Sequence, residues 1–399
     1  MSFFDGILLA SCVLDFAVFA TLLWLAAKHA STRGTKVVGA GMLLIVLGSA
    51  VGIVAAKTVA FAALGLNIFG LIHLLYLDAA VVAPAVGVLI LASRFWRIPG
   101  VGSVSFGWAG TIASVCSFLL VPLCVYTSFV EPFNLQVETS TVEVPGLSAT
   151  ENPITVAVLA DLQFAEVTAH EHRAVDLAME AQPDLILIPG DVFQGTEREY
   201  HVQEAAIKAL LGRLDAPGGV FVVSGDCDRI STLMEAIEGS KVQFIDGRIK
   251  QVAVRGTNIA VAGIPINYVS ALAADTFRQV PTVAERSDVT IVLAHRPGVT
   301  LLPHVPDGID LIVAGHTHGG QIQIPWFGPP ITASPVPRKV AAGGLSRLNN
   351  QTVYVSRGVG CERVHAPRIR FCCPPEVSIL TITGSPRRET LQHHDVGTD

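Results

Sequence analysis

The sequence predicts a chain of two unlike parts: a region of four transmembrane helices, then an α/β domain whose helices flank two stacked sheets, a four-layer αββα arrangement. Three observations predict this. Apolar residues make up 51 % of the chain and the mean hydropathy is +0.53, above what an ordinary water-soluble enzyme carries, with the excess before residue 131. Beyond residue 153, short apolar runs alternate with amphipathic stretches of helical length. Five of those runs end in Asp or His, which gathers their donors at the carboxyl edge of a sheet, where open α/β folds bind ligands.

Residues 6–27, 37–56, 68–93 and 103–130 are each long enough to cross a bilayer, which takes about 20 apolar residues. A cleaved signal peptide would account for one of them, not four. Lys28, Arg33 and Lys36 fall between the first two spans, and Arg94 and Arg97 between the last two. Only Asp5 precedes the first span, and acidic Glu131, Glu138 and Glu143 follow the fourth. Short basic loops face the cytoplasm. The chain is therefore expected to be a multi-pass protein of a bacterial inner or cell membrane, with its α/β domain outside the cytoplasm; Lys57 is the one dissenting charge. Asp15, His73 and Asp78 lie in or near the spans and read as polar pairs between helices or as helix ends at the interface, the alternative being a transport or sensing role.

Residues 131–153, with Pro132, Pro145 and Pro153, read as a connector, of which 134–144 alternates like an edge strand. The domain proper spans 154–384, with helices expected over 169–180, 200–214, 231–238 and 270–278. Strands at 242–245, 249–254 and 258–264 read as a meander, and those at 351–355 and 376–382 as completing a second sheet. A domain of about 250 residues buries a substantial core. The Pro/Gly-rich stretch 325–344 is a candidate lid or substrate lip, or a place where Trp326 and Phe327 dip into lipid. Residues 385–399 are polar and expected to be disordered. Seven cysteines decide little, and a net charge of −6 without a basic stripe argues against nucleic acid as a partner.

In order, the strand ends carry Asp161-Leu162-Gln163, Gly190-Asp191, Gly225-Asp226-Cys227-Asp228, His295 and Gly315-His316-Thr317-His318. An i, i+2 pair of histidines in an extended, glycine-flanked loop lets both imidazoles reach one metal cluster. The ordered set resembles the calcineurin-like metallophosphoesterases, dinuclear metal hydrolases with the pattern Asp-x-His, Gly-Asp, Gly-Asn-His-(Asp/Glu), a lone His and Gly-His-x-His. It is most similar to the membrane-associated bacterial subgroup of YkuE and YaeI and to transmembrane proteins with a metallophosphoesterase domain. The likeness includes Gly319-Gly320-Gln321-Ile322, Tyr354-Val355-Ser356-Arg357-Gly358-Val359-Gly360 and Cys373-Pro374-Pro375-Glu376-Val377, and covers roughly residues 133–384.

The resemblance implies that Asp161 and His318 hold a first metal, that Asp191 bridges two metals, and that Asp226, His295 and His316 hold the second. Asp191, Asp226, Cys227 and His295 are the expected catalytic positions. One bridging carboxylate among imidazoles suits two divalent ions of Mn, Fe or Zn better than Ca. Two such ions polarise a phosphoryl group for in-line attack.

Two motifs depart from the family pattern, at three positions. Gln163 replaces a histidine ligand with a neutral, weaker amide, and Asp226 stands in the slot of the Asn. Cys227 replaces the histidine that protonates the leaving group, and an ordinary thiol, with a pKa of about 8.5, is a poor general acid. An alkoxide leaving group needs that proton, whereas a pyrophosphate bond releases a phosphate that does not. The related lipid-A pathway hydrolases, which cleave UDP-diacylglucosamine, also lack a histidine there and carry an arginine; here Arg229 lies two residues past Cys227. The expected function is hydrolysis of phosphoester or pyrophosphate bonds in a phosphorylated lipid or nucleotide-lipid at the membrane. The alternative is a catalytically weakened metal- or ligand-binding sensor domain coupled to the helices.

Overall fold

The computed structural model describes residues 3–32, 40–65, 67–92, 107–147, 153–298, 301–332, 334–363 and 366–385. The chain divides into two compact units, Met1–Val130 with Glu362–Arg368, and Glu131–Cys361 with Ile369–Asp399.

The first unit is helical: α1 (Phe3–Thr32), α2 (Ala40–Ala63), α3 (Ile68–Leu77), α4 (Ala83–Ala92) and α5 (Gly107–Phe129). Among the described residues three stretches are long and apolar enough to cross a membrane, Asp5–Ala26, Ile68–Ala92 and Gly107–Phe133, and Gly48–Ala63 is a shorter apolar helix. A π turn, Asp78–Val82, joins α3 to α4. Pro84 has no N–H to give the carbonyl four residues back, and just before it the ladder shifts, Ala83 N–H donating to the Asp78 carbonyl. Lys57 is not a loop charge. It sits within α2 with its Nζ 2.6 Å from Asp15 Oδ2 and 2.5 Å from Asp78 Oδ2, so three ionisable side chains satisfy one another between apolar helices. Arg33, Lys36, Arg94 and Arg97, on which the orientation argument rests, lie outside the described residues.

The second unit runs β1 (Gln136–Pro145), β2 (Ile154–Val158), α6 (Ala169–Glu180), β3 (Leu185–Ile188), α7 (Glu197–Leu211), β4 (Val220–Val222), α8 (Ile230–Ile237), β5 (Val242–Phe244), β6 (Arg248–Val254), β7 (Thr257–Ile264), α9 (Ala271–Ala284), β8 (Val289–Ala294), β9 (Leu311–Ala314), α10 (Arg338–Ala341), β10 (Gly344–Leu348), β11 (Gln351–Val355) and β12 (Glu376–Ser385). Among the described residues the strands form two six-stranded sheets, in the orders β1-β12-β2-β3-β4-β5 and β10-β11-β9-β8-β7-β6. Residues from both sheets, among them Val156, Leu187, Phe221, Ile259, Ile291 and Leu311, share one buried apolar cluster. A second cluster joins the first sheet to α6, α7 and α8, and a third joins the second sheet to α9 and α10.

Local chemistry sets the helix starts. Thr168 with Glu171, and Thr196 with Glu199, form reciprocal capping boxes, which begin α6 at Ala169 and α7 at Glu197, three residues ahead of the expected 200. The helix expected to stop at 278 runs on to Ala284 with Pro281 inside it. The expected meander is absent: β5 pairs in parallel with β4 in the first sheet, while β6 and β7 form an antiparallel pair in the second. Gly247, at φ +69°, lies in the turn that carries the chain between the sheets. The last strand joins the first sheet as well, with β12 lying between β1 and β2. Of the tail expected over residues 385–399, Ser385 ends β12 and residues 386–399 lie outside the described residues.

Removing Lys57 would leave the Asp15 and Asp78 carboxylates facing each other without a cation. Lys57→Met is expected to cost about 3–5 kcal/mol, the usual penalty for breaking a buried pair from one side. A lowered melting temperature of the detergent-solubilised chain would show it, and Asp15→Asn added to Lys57→Met should recover part of the loss.

Candidate active site

Parallel pairing within each sheet brings the donors to the carboxyl ends of strands in both sheets. Val158 sits opposite Leu187 and Leu293 opposite Val313, so the residues following β2 and β3, and those following β8 and β9, emerge side by side. Asp161 N–H donates to the Gly190 carbonyl at 3.3 Å and Gly315 N–H to the His295 carbonyl at 3.0 Å. There the backbone turns sharply. Asp161, Gln163, Asp191, His316 and His318 have φ of 47°, 40°, 54°, 70° and 49°, a left-handed conformation that costs non-glycine residues on the order of 1–3 kcal/mol each. The surroundings hold that strain. Asp228 accepts from the N–H groups of Asp191 at 2.7 Å, Val192 at 2.9 Å and Gly225 at 2.9 Å, pinning the loop after β3 to the loop after β4. Gly225 is required by proximity, since a Cβ there would lie 2.2 Å from Asp191 Oδ1.

Among the described residues the side chains form two overlapping groups, Asp161–Asp191–His295 and Asp226–His295–His316, and within each the donor atoms lie within 4.8 Å of one another. His295 is common to both. Its Nδ1 donates to the Pro189 carbonyl at 2.8 Å, which leaves Nε2 facing Asp191 Oδ2 and Asp226 Oδ2, each 3.4 Å away. His316 sits with Nδ1 2.9 Å from Asp226 Oδ2, and its backbone N–H donates to Asp161 Oδ2 at 2.9 Å. His318 joins neither group. Its ring is buried, and among the described residues neither of its nitrogens makes a hydrogen bond, nor does His295 Nε2.

Gln163 and Cys227 both lean on Asp191. The Gln163 amide nitrogen donates to Asp191 Oδ2 at 2.9 Å and lies 3.4 Å from Cys227 Sγ, while Cys227 N–H donates to Asp191 Oδ1 at 2.8 Å. Gln163 thus turns a donor, not a ligand oxygen, toward this carboxylate.

The electrostatics follow from crowding. Burial pushes Asp161 up to about 7, opposed by His295 and reinforced by Asp191. Burial also raises Asp228 to about 6, with Asp191 adding to it. For His295, burial works against the charge, but Asp191, Asp226 and Asp161 outweigh it and lift the imidazole to about 10. Burial opposes ionisation of Asp226 too, yet the neighbouring imidazoles of His295 and His316 and the guanidinium of Arg296 hold it far below the carboxylate range. His318 is driven well below its usual value by burial, then by the nearby charge of Arg370. Clustered carboxylates, a fixed imidazole tautomer and buried ring nitrogens without partners form the donor set that divalent ions such as Mn, Fe or Zn require, and the residues fit them.

Four residues of the site had escaped the sequence reading. Asp228 was legible as the last acid of its motif, but its role in holding three backbone N–H groups was not. Arg296 follows His295 directly and grips Asp226 through both Nε, at 2.9 Å, and Nη2. Tyr268 holds Arg296 in turn, its hydroxyl accepting from Arg296 N–H at 2.7 Å and donating to the Arg296 carbonyl at 2.8 Å. Arg370 is fully buried and donates to the carbonyls of Arg357, Gly358, Gly360 and Cys373. Gly360 N–H in turn donates to the Asp161 carbonyl at 2.7 Å, so Arg370 braces the turn behind the first carboxylate. Nothing in the neighbouring sequence signals Tyr268 or Arg370.

Residues 154–320 match the family model described as calcineurin-like phosphoesterase. The chain is 27 % identical over 272 residues to the metallophosphoesterase YkuE of Bacillus subtilis, covering 64 % of this chain and 88 % of that protein. It is 26 % identical over 238 residues to the phosphodiesterase YaeI of Escherichia coli, covering 58 % and 82 %. A shorter stretch of 101 residues is 35 % identical to the UDP-2,3-diacylglucosamine pyrophosphatase LpxG of Chlamydia trachomatis, covering 21 % of this chain and 28 % of that protein.

Two outcomes are expected of these contacts. Between the ordinary 3.8 and about 7, folded Asp161 keeps a proton that the unfolded chain has released, so stability falls as pH rises through that window. His295 extends the loss, because its raised value adds stability below 6.5 that disappears by about 10. The melting temperature of the metal-stripped chain should therefore decline from about pH 4 to about pH 10, and Asp161→Asn should flatten the acidic part of that slope. Arg296→Ala removes a cation competing for both oxygens of Asp226. Calorimetric titration with Mn should show divalent-ion affinity tighter on the order of tenfold.

Proposed function

We propose that this chain, which carries a calcineurin-like metallophosphoesterase domain, is a membrane-anchored, dinuclear metal-dependent phosphohydrolase acting on phosphoester or pyrophosphate bonds of lipid-linked substrates. The observation that carries the reading is the pair of carboxylate–imidazole groups overlapping at His295. Asp161, Asp191 and His318, with Gln163 beside them, would hold a first ion; Asp191, Asp226, His295 and His316 would hold a second. When bound, the two ions supply positive charge against the phosphoryl oxygens and lower the pKa of an attacking water.

The chain's own groups complete the site. Pro189 keeps His295 in one tautomer. Asp228 holds the Asp191 turn rigid, so the reacting groups are placed before substrate arrives. Cys227, the side chain at the leaving-group position, lies against Asp191 and is an inefficient proton donor. That favours a substrate whose leaving group departs without a proton, as a phosphate does from a pyrophosphate. The name of LpxG supports a nucleotide-lipid of that bond type, and three helices able to cross a membrane support access to a lipid.

The same reading takes Gly48–Ala63 as part of a fourth span, the domain as extracytoplasmic and the membrane as a bacterial inner membrane. It takes the three apolar clusters as the boundaries within a four-layer αββα domain. One observation favours a second reading. Gln163 presents its amide nitrogen to Asp191, as expected of a weakened first metal position in a sensor that binds without turnover.

Purified chain loaded with Mn or Fe is expected to contain close to two ions per chain and to cleave a lipid pyrophosphate more rapidly than an alkyl monoester. Asp191→Asn should lower turnover by at least about a thousandfold, as loss of a central electrostatic group does. Tight metal binding without hydrolysis of any phosphoester, and activity appearing only in the Gln163→His/Cys227→His double variant, would establish the sensor instead.

A further inference from the structure

We infer that residues 322–331 form a lip that inserts into the interfacial layer of a lipid bilayer beside the candidate metal site. The segment leaves the His316–Gly320 turn and closes at once into a tight loop. Ile324 N–H donates to the Gly328 carbonyl at 3.0 Å, and Gly328 N–H donates back to Ile324 at 2.8 Å. Its tip is apolar and turned outward: Trp326 is 105 % exposed and Phe327 52 %, with Ile324 and Ile331 exposed at their sides. The exposure is not that of a slack loop. Trp326 holds φ +65°, a costly conformation for a bulky side chain. Gln323 fixes the base, its N–H donating to the Phe371 carbonyl at 2.8 Å and its amide nitrogen to the carbonyls of Ala342 at 2.8 Å and Gly319 at 3.2 Å.

Three features name the occupant. Tryptophan and phenylalanine backed by cations is the composition of interfacial anchors. The Arg338 guanidinium stacks 3.9 Å over Phe327, and Arg338 and Lys339 are both exposed, a charge pattern that complements anionic lipid headgroups. The chain also carries helices long and apolar enough to cross a membrane, and only six residues separate α5 from β1, about 20 Å of extended chain at most. A bilayer is therefore within reach of the domain whatever its substrate. Finally, the lip continues directly from His318-Gly319-Gly320, so a lipid headgroup beside it would lie next to the metal-binding turn. That last consequence rests on the lipid-linked substrate reading; insertion itself rests only on membrane anchoring.

The test is tryptophan fluorescence of the full chain in nanodiscs containing anionic lipid, with bromine either on the acyl chains or absent. Subtracting the Trp326→Gln variant isolates the signal of Trp326. The expected result is a blue-shifted Trp326 contribution quenched severalfold by brominated lipid, with less quenching in Arg338→Glu/Lys339→Glu. A red-shifted contribution quenched by aqueous acrylamide and not by bromine would overturn the proposal. So would a Trp326 shielded from both quenchers, which would assign the lip to a protein partner or a second copy. Lipid pyrophosphate hydrolysis by the same nanodiscs reports on the substrate reading separately, since insertion can succeed where hydrolysis fails.

Discussion

Like charge gathered in a dry place is the constraint on which the domain depends. Asp161 and Asp191 are buried beside each other at the end of adjacent strands, with Asp228 behind them and Asp226 at the rim. Each would be expelled toward water or protonated if left alone. The fold answers in three ways: Asp228 spends its charge on backbone N–H groups, His295 stands among three carboxylates, and Arg296 and Arg370 supply fixed cations at the front and behind. The left-handed turns and the contact between Gly225 and Asp191 exist because the carboxylates have to face one another at close range.

Two of the departures from the family pattern meet at one atom. Gln163 and Cys227 are separated by 64 positions, yet both contact Asp191 Oδ2 and each other. An amide donor and a thiol in place of two imidazoles change the hydrogen bonding of the same carboxylate. Under the proposed function their effects on metal binding and proton transfer would therefore be coupled, and neither substitution is interpretable alone.

Much of this was legible in the chain itself. An apolar run that stops at Asp or His reports both a strand and the edge where its donor emerges, and all five such runs end at the common site. Partner choice was not legible. Alternation identifies a strand but carries no record of its neighbour, which is why the sequence places β5 in a meander with β6 and β7, and β12 in the second sheet. Lys57 misled for a related reason: a charge between apolar stretches reads as a loop until its two carboxylate partners, 42 and 21 residues away, are seen beside it. Arg370 gave no sign because its role is to bond carbonyls, which every residue type carries.

The placement of β12 has a consequence for synthesis. Among the described strands it comes last in the chain, yet it is interior to the first sheet, parallel to β1 on one side and antiparallel to β2 on the other. As the polypeptide leaves the ribosome, β1 and β2 emerge some two hundred residues before the segment that joins them. Until then each shows an unsatisfied edge, the kind of surface that chaperones cover and that pairs wrongly between nascent copies. Strands β2 to β5 can therefore pair with one another early, while their join to β1 waits for β12.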